Sequence, residues 1–279
     1  MSTGSLAGKT ILMSGGSRGI GLAIAVRAAK DGANVAMLAK TDTPHPKLEG
    51  TIHTAADAVV AAGGQALAIV GDVRNDADIA RAVAHTADAF GGIDIVINNA
   101  SVIDLSPTSA LDAKKYDLMQ DVNVRGTFML SRACVPELKH ATNPHILSLS
   151  PPLNTSAHWL GAHTGYSMAK FGMTMATLGM AEECRAAGIA ANTLWPRTTI
   201  ATAAVQNILG GDHIMKRSRT PEIYADAAHE VLTSDAKALS GESLIVEEVL
   251  KAAGVHDFSS YAAVPGTPDD ALFPDIFLD

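Results

Sequence analysis

Tyr166 and Lys170 stand four residues apart in a segment of helical periodicity, which puts both side chains on one face of a helix. A phenol that ionises near pH 10 is a poor acid-base catalyst at neutral pH. An ammonium beside it stabilises the phenolate and brings it into range. A second cluster, Ser14-Gly15-Gly16-Ser17-Arg18-Gly19-Ile20-Gly21, lies between a short apolar run and a helical pattern carrying Leu22, Ile24 and Val26. A strand, a glycine turn and a helix in that order suit a pyrophosphate. Glycine lets the backbone come close, and the helix N-terminus supplies N–H donors and positive dipole. Lys40, at the end of the next apolar run, and Arg18 inside the turn are cations suited to a ribose 2′-phosphate, whereas a carboxylate at that strand end would select a free 2′-hydroxyl. These features together point to NADP(H) rather than NAD. Asp42 is the contrary residue, but it lies past the strand end.

Such groups need a frame. Apolar runs rich in β-branched residues, at 10–14, 34–39, 66–70, 93–98, 145–150, 189–194 and 243–246, read as strands buried on both faces. Helical patterns at 19–31, 51–62, 76–90, 109–139, 165–187 and 221–234 alternate with them. The expected fold is α/β: a Rossmann-type, doubly wound, mainly parallel seven-stranded sheet with helices on both faces. The expected organisation is one domain over 1–253, followed by an extended tail at 254–279 that packs on the domain or on a neighbouring subunit.

Of the 279 residues, 47% are hydrophobic and 18% charged, which excludes disorder over most of the length. With 29 acidic residues against 21 basic ones, the formal charge of −8 disfavours nucleic acid or an anionic membrane as a broad partner. No run reaches the length of a membrane span, and no signal-peptide layout opens the chain, so a cytoplasmic location is expected. Cys134 and Cys184 stand alone, which agrees with a reducing compartment. The ten histidines form no H-x-H or H-E-x-x-H pattern, and no metal site is expected.

The turn spacing G-x-x-x-G-x-G, Asn98-Asn99-Ala100, Asn123 in Asn123-Val124-Arg125-Gly126, Tyr166-Ser167-Met168-Ala169-Lys170 and Pro196 together resemble the short-chain dehydrogenase/reductase family. The resemblance covers nearly the whole chain. It implies that Tyr166 exchanges a proton with the substrate oxygen, that Lys170 also holds the nicotinamide ribose, and that Asn123 supports a proton relay. It further implies cofactor contacts from Gly15, Ser17, Arg18, Gly19, Ile20 and Gly21, then Lys40, Asp72, Val73, Asn99, Ala100, Tyr166 and Lys170. Pro196, Thr199 and Ile200 complete the set at the nicotinamide end, although Arg197 replaces the usual glycine there. The stretches 39–41, 44–48, 150–154 and 195–198 look like the hydroxysteroid dehydrogenase-like branch of the family. Animal members of that branch carry an added sterol-carrier domain, for which this length leaves no room.

The family's oxygen-polarising serine has no clean counterpart. Its usual spacing before Tyr166 falls on Leu153, so either Ser150 serves through a longer loop or another group, such as Asn154, takes the role; Ser150 is the choice. The loop 41–50 is longer than usual for the family and is placed over the adenosine end. His158 and His163 precede Tyr166 and either line the cleft or face water. The apolar segment 203–215, with Gly210-Gly211 as a hinge, reads as a lid over a hydrophobic substrate. The expected activity is NADP-dependent interconversion of a secondary alcohol and a ketone on a lipid-like, acyl or steroid-like molecule. The alternatives are a non-catalytic NADP(H)-binding scaffold, or a dehydratase or epimerase on the same fold. The resemblance also implies a homodimer or homotetramer formed through the helices carrying Asn123 and Tyr166.

Overall fold

In the computed structural model, which describes residues 4–44 and 49–279, the chain alternates strand and helix throughout. It begins with β1 (Thr10–Ser14), α1 (Gly19–Ala29), β2 (Asn34–Ala39), α2 (Ile52–Ala61), β3 (Gln65–Val70), α3 (Asp76–Phe90) and β4 (Ile95–Asn98). The second half runs α4 (Ala113–Met119), α5 (Gly126–Leu138), β5 (His145–Ser148), α6 (Ala157–Ala162), α7 (Thr164–Glu183), β6 (Ala190–Trp195), α8 (Gly211–Met215), α9 (Pro221–Thr233), β7 (Ser243–Ile245) and α10 (Val246–Ala252). All seven strands are parallel, in the order β3-β2-β1-β4-β5-β6-β7.

The sheet is wrapped on both sides because its strands alternate apolar residues between two cores. Ile11 and Met13 of β1 pack with Val35 and Met37 of β2 on the face covered by α1, α2 and α9, while Leu12, Ala36 and Leu38 face the opposite core. Strand order reverses between β1 and β4, and the strand ends diverge there into a crevice, as open α/β sheets require for ligand binding.

Helix ends follow local chemistry. Asn75 caps α3 with its side-chain oxygen, and Thr51 with Thr54 forms a reciprocal cap on α2. The helix expected over 109–139 starts only at Ala113, where Asp112 accepts from the Lys114 N–H, and between α4 and α5 it loosens into a π-helical turn, Gln120–Arg125. The strand expected to reach Ser150 stops at Ser148, because the Ser150 N–H turns back to donate to the Ser148 carbonyl. Beyond α10 the chain makes two short 3-10 turns, Ser259–Tyr261 and Asp269–Ala271, and returns over the strand ends. Among the described residues, no helix is long and apolar enough to cross a membrane.

Candidate active site

The crevice opens into a cleft of about 1830 Å3, large enough for a dinucleotide with a further molecule beside it. Gly15, Ser17, Arg18, Gly19 and Ile20 line one end. Gly15 has φ 75°, and a Cβ there would stand 2.9 Å from the Ala100 Cα, so both its conformation and its neighbour exclude a side chain. Asn99 holds the turn against β4, its Nδ2 donating to the Gly15 carbonyl at 2.7 Å and the Ser14 carbonyl at 3.2 Å. Gly21 sits one layer behind the cleft, where a Cβ would meet the Asn99 amide at 2.5 Å. The N-terminus of α1 has no side-chain cap and no acid in its first turn, leaving its N–H groups available to an anion. These residues fit a pyrophosphate.

At the end expected to take the adenosine, Lys40, Asp72 and Val73 line the cleft. Lys40 lies 3.6 Å from the Asp72 carboxylate. Arg74, hydrogen-bonded to both oxygens of Asp72, holds that carboxyl down at about 2, so it stays ionised. Arg18 reaches across the cleft mouth, donating from Nε to the Glu49 carbonyl at 3.0 Å and from Nη2 to that of Gly50 at 2.8 Å. Asp42 pairs instead with His53 at 2.7 Å. Pro44 is described, whereas residues 45–48 of the loop placed over the adenosine lie outside the described residues.

At the other end Tyr166 and Lys170 line the cleft together, both nearly fully buried on α7. The Lys170 ammonium donates to the Leu149 carbonyl at 2.7 Å and lies 5.1 Å from the centre of the Trp195 ring. Burial lowers it to about 7. The Tyr166 phenol is pushed well above its ordinary value, first by burial and then by Asp275, against a hydrogen bond from Ser101 that favours the phenolate. In this arrangement burial outweighs the lowering by Lys170 that the i, i+4 pairing predicts, and the phenol keeps its proton at neutral pH. Asn123 is fully buried in the π turn. It accepts from the Val102 N–H at 2.8 Å and donates to the Val102 carbonyl at 3.0 Å, fixing the segment after β4. A π turn is a common site for such a functional distortion.

Ser150 does not line the cleft. It is fully buried, and its hydroxyl lies in hydrogen-bond contact with Thr174 Oγ1 at 3.0 Å, because the chain bends inward after Ser148. Asn154 is engaged elsewhere, donating to the Phe277 carbonyl and the Asp279 carboxylate. The hydroxyl beside Tyr166 is that of Ser101, an exposed cleft residue three positions past Asn98. Only proximity in space distinguishes it from other serines, so spacing arguments miss it. Ala100, Pro196 and Ile200 also line the cleft, whereas Thr199 is turned away, sharing a hydrogen bond with the Ser218 hydroxyl at 2.8 Å. Neither His158 nor His163 lines the cleft; His163 Nδ1 is 2.9 Å from the Leu105 carbonyl.

The segment expected to form a lid does border the cleft, through Val205, Ile208, Leu209 and Met215. It consists of a π-helical turn, Val205–Leu209, and α8, joined at Gly210 with φ 152°. The C-terminal residues Asp275 and Ile276 supply a wall that the periodicity of the chain does not announce.

Comparison with known proteins agrees with this geometry. Residues 9–211 match the family model described as short chain dehydrogenase. The hydroxysteroid dehydrogenase-like protein 2 of Danio rerio is 52% identical over 277 residues; the match covers 99% of this chain but only 65% of that protein's length. A crystal structure from Xanthomonas campestris superposes with a TM-score of 0.94 at 54% identity, covering 99% of both chains. A short chain dehydrogenase from Mycobacterium thermoresistibile superposes at 0.93 with 56% identity, covering 99% of this chain and 96% of that one.

Proposed function

Because the chain belongs to the short-chain dehydrogenase/reductase family of nicotinamide-dependent oxidoreductases, we propose that it is NADP-dependent and interconverts a secondary alcohol and a ketone on a hydrophobic substrate. One observation carries this reading: a single cleft joins the glycine turn and its cations to the buried Tyr166 and Lys170. When bound, NADP(H) supplies or accepts the hydride. Gly15, Ser17, Arg18, Gly19 and Ile20 would hold the pyrophosphate, with Arg18 and Lys40 at the 2′-phosphate, Asp72 and Val73 at the adenine, and Asn99, Ala100, Pro196 and Ile200 farther along. Thr199 and Gly21 then act by shaping backbone rather than by direct contact.

For reduction, the raised phenol of Tyr166 is the proton donor to the substrate oxygen. Lys170 orients the ribose and steadies the phenolate left behind. Asn123 keeps the segment carrying Ser101 in place. The oxygen-polarising role expected of Ser150 passes to Ser101, which lines the cleft beside Tyr166. The apolar residues of the 203–215 segment suit an acyl or steroid-like substrate. The chain is proposed to act in the cytoplasm as a homodimer or homotetramer, and as one domain over 1–253 with residues 254–279 as its tail.

Titrating the protein with NADPH and NADH, then assaying a panel of ketones and secondary alcohols, tests the assignment. NADPH is expected to bind at least about tenfold tighter, a difference of about 1.4 kcal/mol. Tyr166→Phe is expected to cut turnover by about 10²–10⁴ while leaving cofactor affinity intact. The enclosure of Ser150 favours a second reading, a non-catalytic NADP(H)-binding scaffold. Tight binding without turnover of any compound on the panel would support that reading instead.

A further inference from the structure

The C-terminal segment 273–279 packs beside the cleft and lines it through Asp275 and Ile276. Along the segment after β6, the Thr199 N–H donates to the Phe273 carbonyl at 2.9 Å, Thr198 bridges Pro274 in antiparallel fashion, and the Asp275 N–H donates to the Arg197 carbonyl at 3.0 Å. Two residues later Phe277 is 1% exposed and adopts φ 74°, a left-handed conformation that a bulky residue holds only under enforcement. The enforcement is visible. Its ring centre lies 5.0 Å from that of Phe171, 5.9 Å from Trp159, 6.0 Å from Tyr166 and 6.2 Å from Trp195. Trp195 Nε1 also donates to the Ile276 carbonyl at 3.0 Å. Asp275 is thus pinned from both sides, with its side chain at the cleft surface that Tyr166 and Lys170 share.

We propose that Asp275 is a positioning residue for the Tyr166–Lys170 pair, a carboxyl delivered by the C-terminal segment as the counter-charge to the Lys170 ammonium. The proposal rests on the oxidoreductase reading above. The titratable groups around Asp275 are Tyr166 and Lys170 on α7, Tyr224 on α9 and Glu247 on α10. Arg197 adjoins it through the backbone but directs its guanidinium to Glu248, and the Arg197 N–H donates to the Glu247 carboxylate at 2.9 Å. Lys170 is the cation that shares this part of the cleft with Asp275: its ammonium lies 5.1 Å from the centre of the Trp195 ring, whose Nε1 holds the carbonyl of the next residue, Ile276. Burial pushes the Asp275 carboxyl up to about 7, opposed by the Ile276 N–H and by Lys170. The Asp275 carboxylate in turn raises Lys170 against its own burial. Without that carboxylate, Lys170 gives up its proton at lower pH and the Tyr166 phenolate loses its stabilising cation.

The test is Asp275→Asn in the full chain carrying ¹³C-labelled lysine, with the Lys170 Cε resonance identified by its disappearance in Lys170→Met. The titration midpoint of that resonance is expected to fall by at least about half a pH unit relative to the unmodified chain. A smaller shift overturns the proposal. Asp275→Ser applies the same criterion should the amide variant not fold. With NADPH and a carbonyl substrate, the alkaline limb of kcat/KM is expected to move to lower pH in Asp275→Asn and to return in Asp275→Glu; an unmoved limb also overturns it. Should no compound on the panel turn over, the oxidoreductase reading fails while the lysine titration still decides the role of Asp275.

Discussion

Serine hydroxyls illustrate how little residue type says without surroundings. Ser150 has the right chemistry and nearly the right place in the chain, yet Thr174 occupies it behind the cleft. Ser101 has no distinctive spacing and lines the cleft beside Tyr166. Ser101→Ala is expected to lower kcat/KM about tenfold or more, whereas Ser150→Ala should cost less than tenfold, because Thr174 keeps its bond to the Pro151 carbonyl at 2.7 Å. The reverse order in side-by-side kinetics would restore Ser150 to the role. Tyr166 carries a similar lesson: the i, i+4 partner was legible in the sequence, but the depth at which α7 buries both groups was not, and that depth decides the direction in which the phenol moves.

Among the elements, the strands were the most legible, since a parallel strand covered on both faces must be apolar at nearly every position. β1 and β2 begin and end where their residue patterns predict. The long pattern at 109–139 concealed a π turn, because widening a helix by one residue leaves the apolar periodicity almost untouched while it reorients Asn123 toward Val102. The 203–215 segment contributes Ile208 to the cleft with that side chain still 48% exposed. An aspartate there would meet an apolar substrate but not the cofactor turn. Ile208→Asp is expected to raise KM for hydrophobic substrates about tenfold while leaving NADPH affinity within about twofold, since losing a buried aliphatic contact costs about 1.5–3 kcal/mol. Equal losses for substrate and cofactor, measured by steady-state kinetics and fluorescence titration, would count against a substrate-facing segment.

Considered as a whole, the molecule has apolar surface on the two helices proposed to join subunits: Phe128 on α5 is 44% exposed, and Met168 and Met175 on α7 are 52% and 64% exposed. Sedimentation at micromolar concentration is expected to give a dimer or tetramer, and a monomer would remove that part of the proposal. Global stability should also depend on pH through His145, at the start of β5, where burial holds the imidazole down at about 4. Below its ordinary 6.5 the unfolded chain takes up a proton that the native state refuses, so stability falls as pH drops toward 4. Asp275 acts in the opposite sense, its raised carboxyl gaining a proton in the native state over an overlapping range. The informative quantity is therefore a difference. Between pH 7 and 4.5, His145→Gln should lose about 2 kcal/mol less stability than the unmodified chain in urea unfolding. Equal losses would exclude His145 as the sensor.

The sequence by itself determined the parallel sheet, the glycine turn, the cations beside it and the Tyr166–Lys170 pair, because each is a local pattern: an apolar run, a tight turn, a helical spacing. The place of Ser101 beside Tyr166, the withdrawal of Ser150 and the return of Asp275 to the cleft were decided only by tertiary structure. Ser101 and Tyr166 are distant in sequence, and Asp275 lies more than one hundred residues beyond Lys170. What joins them is the convergence of strand ends at the sheet's reversal point and the packing of Phe277 among the rings around Tyr166. Neither leaves a periodic trace in the chain.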